Sequence, residues 1–190
     1  MTENVSNKKN PWEAYPDVWS TKAKFFTWLR GAFRKAVWSR YPGRIKFKNE
    51  RCEKPPEGYT GRAKSGAYCA LTGEWVGKSN LEVDHVIGEA SLREWADVES
   101  FIRHLCPTAD NMQLVSKEAH KIKSYAERMG ITFAEAVIEK QVIAFGKESV
   151  EKQRIILTET CLCETISTNS KGRADQYRQW LISQERTLNE

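Results

Sequence analysis

Leu81-Glu82-Val83-Asp84-His85-Val86-Ile87 is a short apolar run that places an acid and an imidazole side by side. Its composition and length predict a strand. A second stretch, Asn111-Met112-Gln113-Leu114-Val115-Ser116-Lys117-Glu118-Ala119-His120-Lys121-Ile122-Lys123, starts with another strand-like segment, Met112 to Val115. Ser116 can then cap a helix over Lys117–Met129, with Gly130 at its C-terminus. The chain has only three histidines, and His85 and His120 fall in these two stretches. One carboxylate and two imidazoles brought together can bind a divalent metal and activate water. Such equipment suits the cutting of a phosphodiester.

Between the two stretches, Leu92, Trp95, Val98, Phe101, Ile102 and Leu105 recur at helical spacing, which predicts an amphipathic helix over 91–105. Upstream, Tyr68 to Val76 reads as the start of a compact unit with a turn at Thr72-Gly73. Adjacent strand residues point to opposite faces. Asp84 and His85 therefore serve one site only if the strand twists or ends there, and Gly88 suits such a turn.

Strand, strand and helix, with Asp-His on the first strand and His inside the helix, resembles the ββα-metal fold. Asp84-His85, Asn111 and His120 match the HNH endonuclease motif residue by residue, and the nine-residue step from Asn111 to His120 is the family's step. The resemblance covers about residues 68–125, and the flanking helices are similar to those of bacteriophage HNH endonucleases. It implies that His85 is the general base and that Asp84 and His120 hold one divalent metal ion. Asn111 would grip backbone groups across the loop and orient His85, since its amide both donates and accepts. Magnesium is the first choice for the ion, and manganese, nickel or zinc also suit the imidazole.

Two departures from the family pattern bear on this. The gap from His85 to Asn111 is long, which the helix over 91–105 explains as an insert. Many relatives also carry two Cys-x-x-Cys pairs for a structural zinc. Here the first is reduced to Cys69 and Thr72, and the second is missing near Lys117 and His120. One cysteine cannot complete a four-ligand site, so no structural zinc is expected. Packing by Tyr68, Leu71, Trp75 and Trp95 would have to support the motif. Glu82 and Glu89 read as solvated strand-end acids, and His104 as a structural residue of the insert.

The expected class is α+β, mostly helical, with a ββα-metal core, a helix inserted between its two strands, and helices on either side. Residues 1–66 would hold a basic helix, a short strand and a linker, residues 67–130 the nuclease core, and residues 131–190 a helical extension, either a base-reading module or, slightly favoured, a packing cap. In the first region, Phe25, Trp28, Leu29, Ala32, Phe33, Ala36 and Val37 form a helical apolar stripe behind a cap at Ser20 or Thr21. Arg44-Ile45-Lys46-Phe47-Lys48 alternates basic and apolar residues, which predicts a half-buried strand. Thr132 and Glu135 match a capping box for a helix to about Phe145.

The net charge is +5, but residues 21–54 hold eleven Lys or Arg against two Glu. Such asymmetry, interleaved with aromatics, suggests a surface made for a polyanion. Arg30, Arg34, Arg44, Lys46, Lys48, Lys117, Lys121 and Lys123 form a candidate track for double-stranded DNA. No apolar run approaches the ~20 residues that span a bilayer. No signal pattern opens the chain, so a cytoplasmic protein without a membrane partner is expected. Five cysteines without a signal argue against a disulfide framework.

The activity expected is metal-dependent hydrolysis of DNA, of the phage or homing type. Each site would make one nick, and a homodimer or sequential binding would cut both strands. A structure-specific resolvase or a packaging-associated nuclease is the alternative within nucleases. A non-catalytic DNA- or protein-binding module on the same fold is the alternative of another class.

Overall fold

The computed structural model describes residues 9–88 and 90–188. The chain divides into two compact units, with the boundary between Lys117 and Glu118. The described residues are mostly helical and carry two small antiparallel sheets. Among them, no helix is long and apolar enough to cross a membrane.

The first unit starts with a short helix α1 (Pro11–Ala14) and a longer α2 (Lys22–Ala36). Thr21 caps α2, its hydroxyl accepting from the Lys24 N–H at 3.2 Å. This satisfies one of the donors a helix start leaves open. Phe25 and Phe26 are buried on α2, whereas Trp28 is half-exposed. Phe26 lies outside the apolar stripe read from the sequence. It is buried because Trp12 and Trp95 close over the side of the helix that it faces.

The basic stretch 44–48 is not a strand. It lies within helix α3 (Pro42–Arg51). Pro42 occupies the first turn, where its missing N–H costs nothing and its fixed φ favours the helix. Ile45 and Phe47 would share one face of a strand. On a helix they lie about 200° apart, and accordingly Phe47 is buried at 7% while Ile45 is 49% exposed.

Strands β1 (Gly66–Tyr68) and β2 (Trp75–Gly77) form a hairpin, and Gly73 turns it at φ +70°. Strand β3 (Leu81–His85) then pairs antiparallel with β4 (Met112–Ser116). Between them the insert holds α4 (Val98–His104), preceded by a single tighter turn at Trp95–Asp97. The expected helix over 91–105 is thus shorter. Leu92 lies outside it and is nonetheless 2% exposed, buried with Phe25, Phe26, Phe101 and Leu105. A second cluster joins Phe47, Ala67, Leu81, Val83, Met112 and Leu114. Trp38 packs against both clusters.

Helix α5 (Lys117–Met129) follows β4 without a break. In the second unit, Gly130 ends it at φ +65°. Helix α6 (Phe133–Phe145) opens on the reciprocal capping box of Thr132 and Glu135. Helices α7 (Val150–Ile155) and α8 (Ser170–Leu188) complete this unit. Ile138, Val142 and Leu181 form its apolar centre. Buried Arg173 donates to Gln153 Oε1 at 2.7 Å and to the Thr168 carbonyl at 2.6 Å, so its charge is met by polar partners.

Candidate active site

The register of β3 against β4 sets the site. Asp84 pairs with Gln113 and His85 with Met112. By strand alternation, Leu81, Val83 and His85 share one face, and Glu82 and Asp84 share the other. The ladder stops at His85, and the chain bends at Val86-Ile87. Asn111 holds that bend twice. Its carbonyl accepts from the Val86 N–H at 3.2 Å, and its side-chain Oδ1 accepts from the Ile87 N–H at 2.8 Å. The Asn111 side chain thus grips backbone across the loop.

His85 lies at the end of the apolar face and is 9% exposed. Its Nε2 is 2.9 Å from the carbonyl oxygen of His104. A carbonyl only accepts, so Nε2 carries a proton in this contact. The ring stacks on His104, with centroids 4.4 Å apart and planes 16° apart. It also stacks on Trp38, at 4.3 Å and 28°. Two rings cannot occupy the same face at those distances, so the imidazole lies between them. The insert thus contacts the His85 ring directly through the His104 carbonyl, and Asn111 braces the bend that follows it.

His104 is held below its ordinary value, chiefly by burial, with Arg34 acting in the same direction against a backbone hydrogen bond at Gly88. It is therefore neutral at pH 7. The Arg44 guanidinium lies over the Trp38 ring, 5.1 Å from its centre. Burial lowers the proton affinity of Arg44, partly offset by the charge of Glu82, and its Nε has no hydrogen-bond partner.

Asp84 is 8% exposed. The Gln113 Nε2 donates to its Oδ2 at 3.2 Å and to the His85 carbonyl at 3.3 Å. His120 stands in the first turn of α5, half-buried, in the second unit. Among the described residues, no three His, Cys, Asp or Glu side chains gather as a metal-holding group. The pair assigned from the sequence is a two-ligand set. Glu89 lies outside the described residues.

The expected supports of the motif need correction. Tyr68 and Trp95 are half-exposed, and Trp95 packs on Phe25 and Phe26. Trp75 meets Tyr59 at 4.5 Å. The strand pair instead rests on Phe47 of α3 and Ala67 of β1. Cys69 adds a polar tie, its Sγ accepting from the Ser116 N–H at 3.3 Å. Burial pushes that thiol up, but the Thr72 hydroxyl and the N–H groups of Ser116, Leu71 and Thr72 outweigh it and hold it below its ordinary range.

The basic residues divide. Lys48 donates to the Leu81 carbonyl at 2.6 Å, which makes it part of the fold. Its proton affinity is lowered, first by burial and then, against an opposing effect of Cys52, by Arg44, Lys78 and Lys117. Lys46 faces Glu50 at 3.7 Å, Lys121 faces Glu118 at 2.9 Å, and Lys123, only 14% exposed, faces Glu127 at 2.8 Å. Arg34 and Lys117 are exposed and Arg30 is half-buried. Exposed pairs are weak enough to open for a phosphate.

Sequence reasoning missed Trp38, His104 and Gln113. His104 is one of only three histidines, and that scarcity was the one available signal. No protein-family model, curated protein or solved structure matches the chain.

Proposed function

We propose that this chain is a metal-dependent DNA endonuclease of HNH type, with β3, β4 and α5 as its ββα core and residues 86–111 as the insert. The observation that carries this is the setting of His85. One imidazole nitrogen is tied to a carbonyl, and the ring is held between two aromatic faces. A general base needs a fixed tautomer and a fixed ring orientation, and this setting favours that role for His85.

In this reading His85 Nδ1 takes the proton of the attacking water. The imidazolium that forms keeps its Nε2–H on the His104 carbonyl and gains a cation–π contact with Trp38. Asn111 keeps the bend at 86–87 from shifting the strand end. Asp84 and His120 would hold the divalent ion. Their donor set fits one that retains waters and takes phosphate oxygens, as magnesium does. The Gln113 amide on Asp84 is the outer partner that fixes such a ligand. When bound, the ion neutralises charge on the phosphate and on the leaving 3′ oxygen.

The test is cleavage of duplex DNA with magnesium or manganese. His85→Ala should lower the rate by about 10²–10⁴-fold while binding persists. If the Ala variant cuts as well as wild type, His85 is not the base. If wild type binds DNA but never cuts with any divalent ion, the chain is a binding module. Branched against linear duplexes separate a resolvase from a general nuclease.

A further inference from the structure

The helical extension after Gly130 contributes Lys140 to a cleft on the second unit that also includes His120. Its lining is His120, Lys121, Ser124, Tyr125, Arg128 and Lys140, around a volume of about 370 Å³. That size falls in the range of ligand clefts, about 300–1,000 Å³. No carboxylate is among these residues. The Lys140 Nζ lies 4.7 Å from the centre of the Tyr125 ring, and the Arg128 guanidinium lies 5.4 Å from it. An aromatic ring attracts cations but does not neutralise them, so both charges remain available. Lys121 is bridged to Glu118 at 2.9 Å, with both side chains more than two-thirds exposed. A competing phosphate can open such a pair at little cost.

We propose that this cleft holds the phosphodiester backbone of duplex DNA, with Arg128 of α5 and Lys140 of α6 as phosphate contacts. Lys121, Ser124 and Arg128 stand at i, i+3 and i+7 of α5, along one face of the helix. The outer two are about 10 Å apart along the axis. One strand of a duplex rises about 3.4 Å per nucleotide, so the row matches about three nucleotides. A single small anion needs no such length. The Ser124 and Tyr125 hydroxyls are suited to donate to phosphate oxygens, and contacts to the phosphate backbone are independent of sequence. Residues 131–190 are then part of the DNA-binding surface as well as a packing element. The choice of DNA rests on the nuclease reading above, whereas the choice of a phosphate backbone rests on the cleft.

The experiment is binding of a short fluorescent DNA duplex by the full chain in EDTA, read by anisotropy across a salt series. Arg128→Ala with Lys140→Ala should weaken binding about tenfold or more at low salt. It should also flatten the slope of log K against log salt by about 2, one unit for each lost contact. Arg128→Lys with Lys140→Arg should keep most of the affinity and the slope, which shows that charge rather than packing was lost. Lys147→Ala, which removes an exposed charge elsewhere on the same unit, should change little. An unaltered affinity and slope in the double Ala variant overturns the proposal, as does an equal loss in Lys147→Ala. A loss confined to an RNA duplex of the same length also overturns it. Cleavage is read separately with magnesium present. Wild type that binds through Arg128 and Lys140 but never cuts removes the nuclease reading and leaves the cleft standing. Wild type that cuts, beside a double variant that binds unchanged, does the reverse.

Discussion

Arg44-Ile45-Lys46-Phe47-Lys48 alternates polar and apolar side chains throughout, and Leu81-Glu82-Val83-Asp84-His85 does so over its first four residues. The first is part of α3 and the second is β3. Both alternate, so alternation alone did not decide between them. One thing outside each window did. Pro42 starts a helix for the first. For the second, Met112-Gln113-Leu114-Val115-Ser116 lies alongside and supplies a partner for every residue from Leu81 to His85. A strand is a property of a pair, whereas a helix closes its own hydrogen bonds.

The comparison can be broken by truncating apolar side chains. Phe47→Ala should cost about 3–5 kcal/mol, because the ring is buried against the β3–β4 pair. Leu81→Ala should cost about 2–5 kcal/mol for the same reason. Chemical denaturation measures both. Losses below about 1 kcal/mol would mean that α3 and β3 do not share a core.

A smaller effect sharpens the strand's side. Asn111→Ala removes the acceptor of the Ile87 N–H, a loss of about 1 kcal/mol. Amide exchange at Ile87 should speed up while Val83 keeps its protection. If both accelerate together, Asn111 supports the whole ladder rather than the bend.

The smallest effect is the most discriminating. Ile45→Ala should change stability by no more than about 0.5 kcal/mol, as at other exposed positions. In a strand, Ile45 and Phe47 would share a face and cost similar amounts. Equal costs in the same denaturation assay would return 44–48 to the strand first expected.

What was legible in the sequence follows the same division. The Thr132–Glu135 capping box is local chemistry within four residues, and α6 starts and stops where it predicted. The β3 and β4 strands were legible because each is short, apolar and in step with the other. The insert helix was overextended because Leu92 and Trp95 fit a helical period, yet they are placed by tertiary contacts from non-α backbone. At the candidate site, order and spacing singled out Asp84, His85 and Asn111, and of the expected contacts the backbone grip of Asn111 is present. The stack of Trp38 and His104 on His85 was not. Trp38 lies 47 residues from His85 in sequence, and ring contacts at that separation leave no periodic trace. The nearer ring, His104, sits in an insert whose length obscured its return to the strand end.

Cys69 has a consequence in time as well as in space. Its sulfur is buried at 1% exposure and hydrogen-bonded at the junction of β4 and α5. Cys106, in contrast, is exposed. A thiol reagent therefore meets Cys106 at once but reaches Cys69 only when the hairpin turn lifts away from Ser116. The delay between the two reactions measures how often that junction opens, so the chain carries its own clock for local unfolding beside the site.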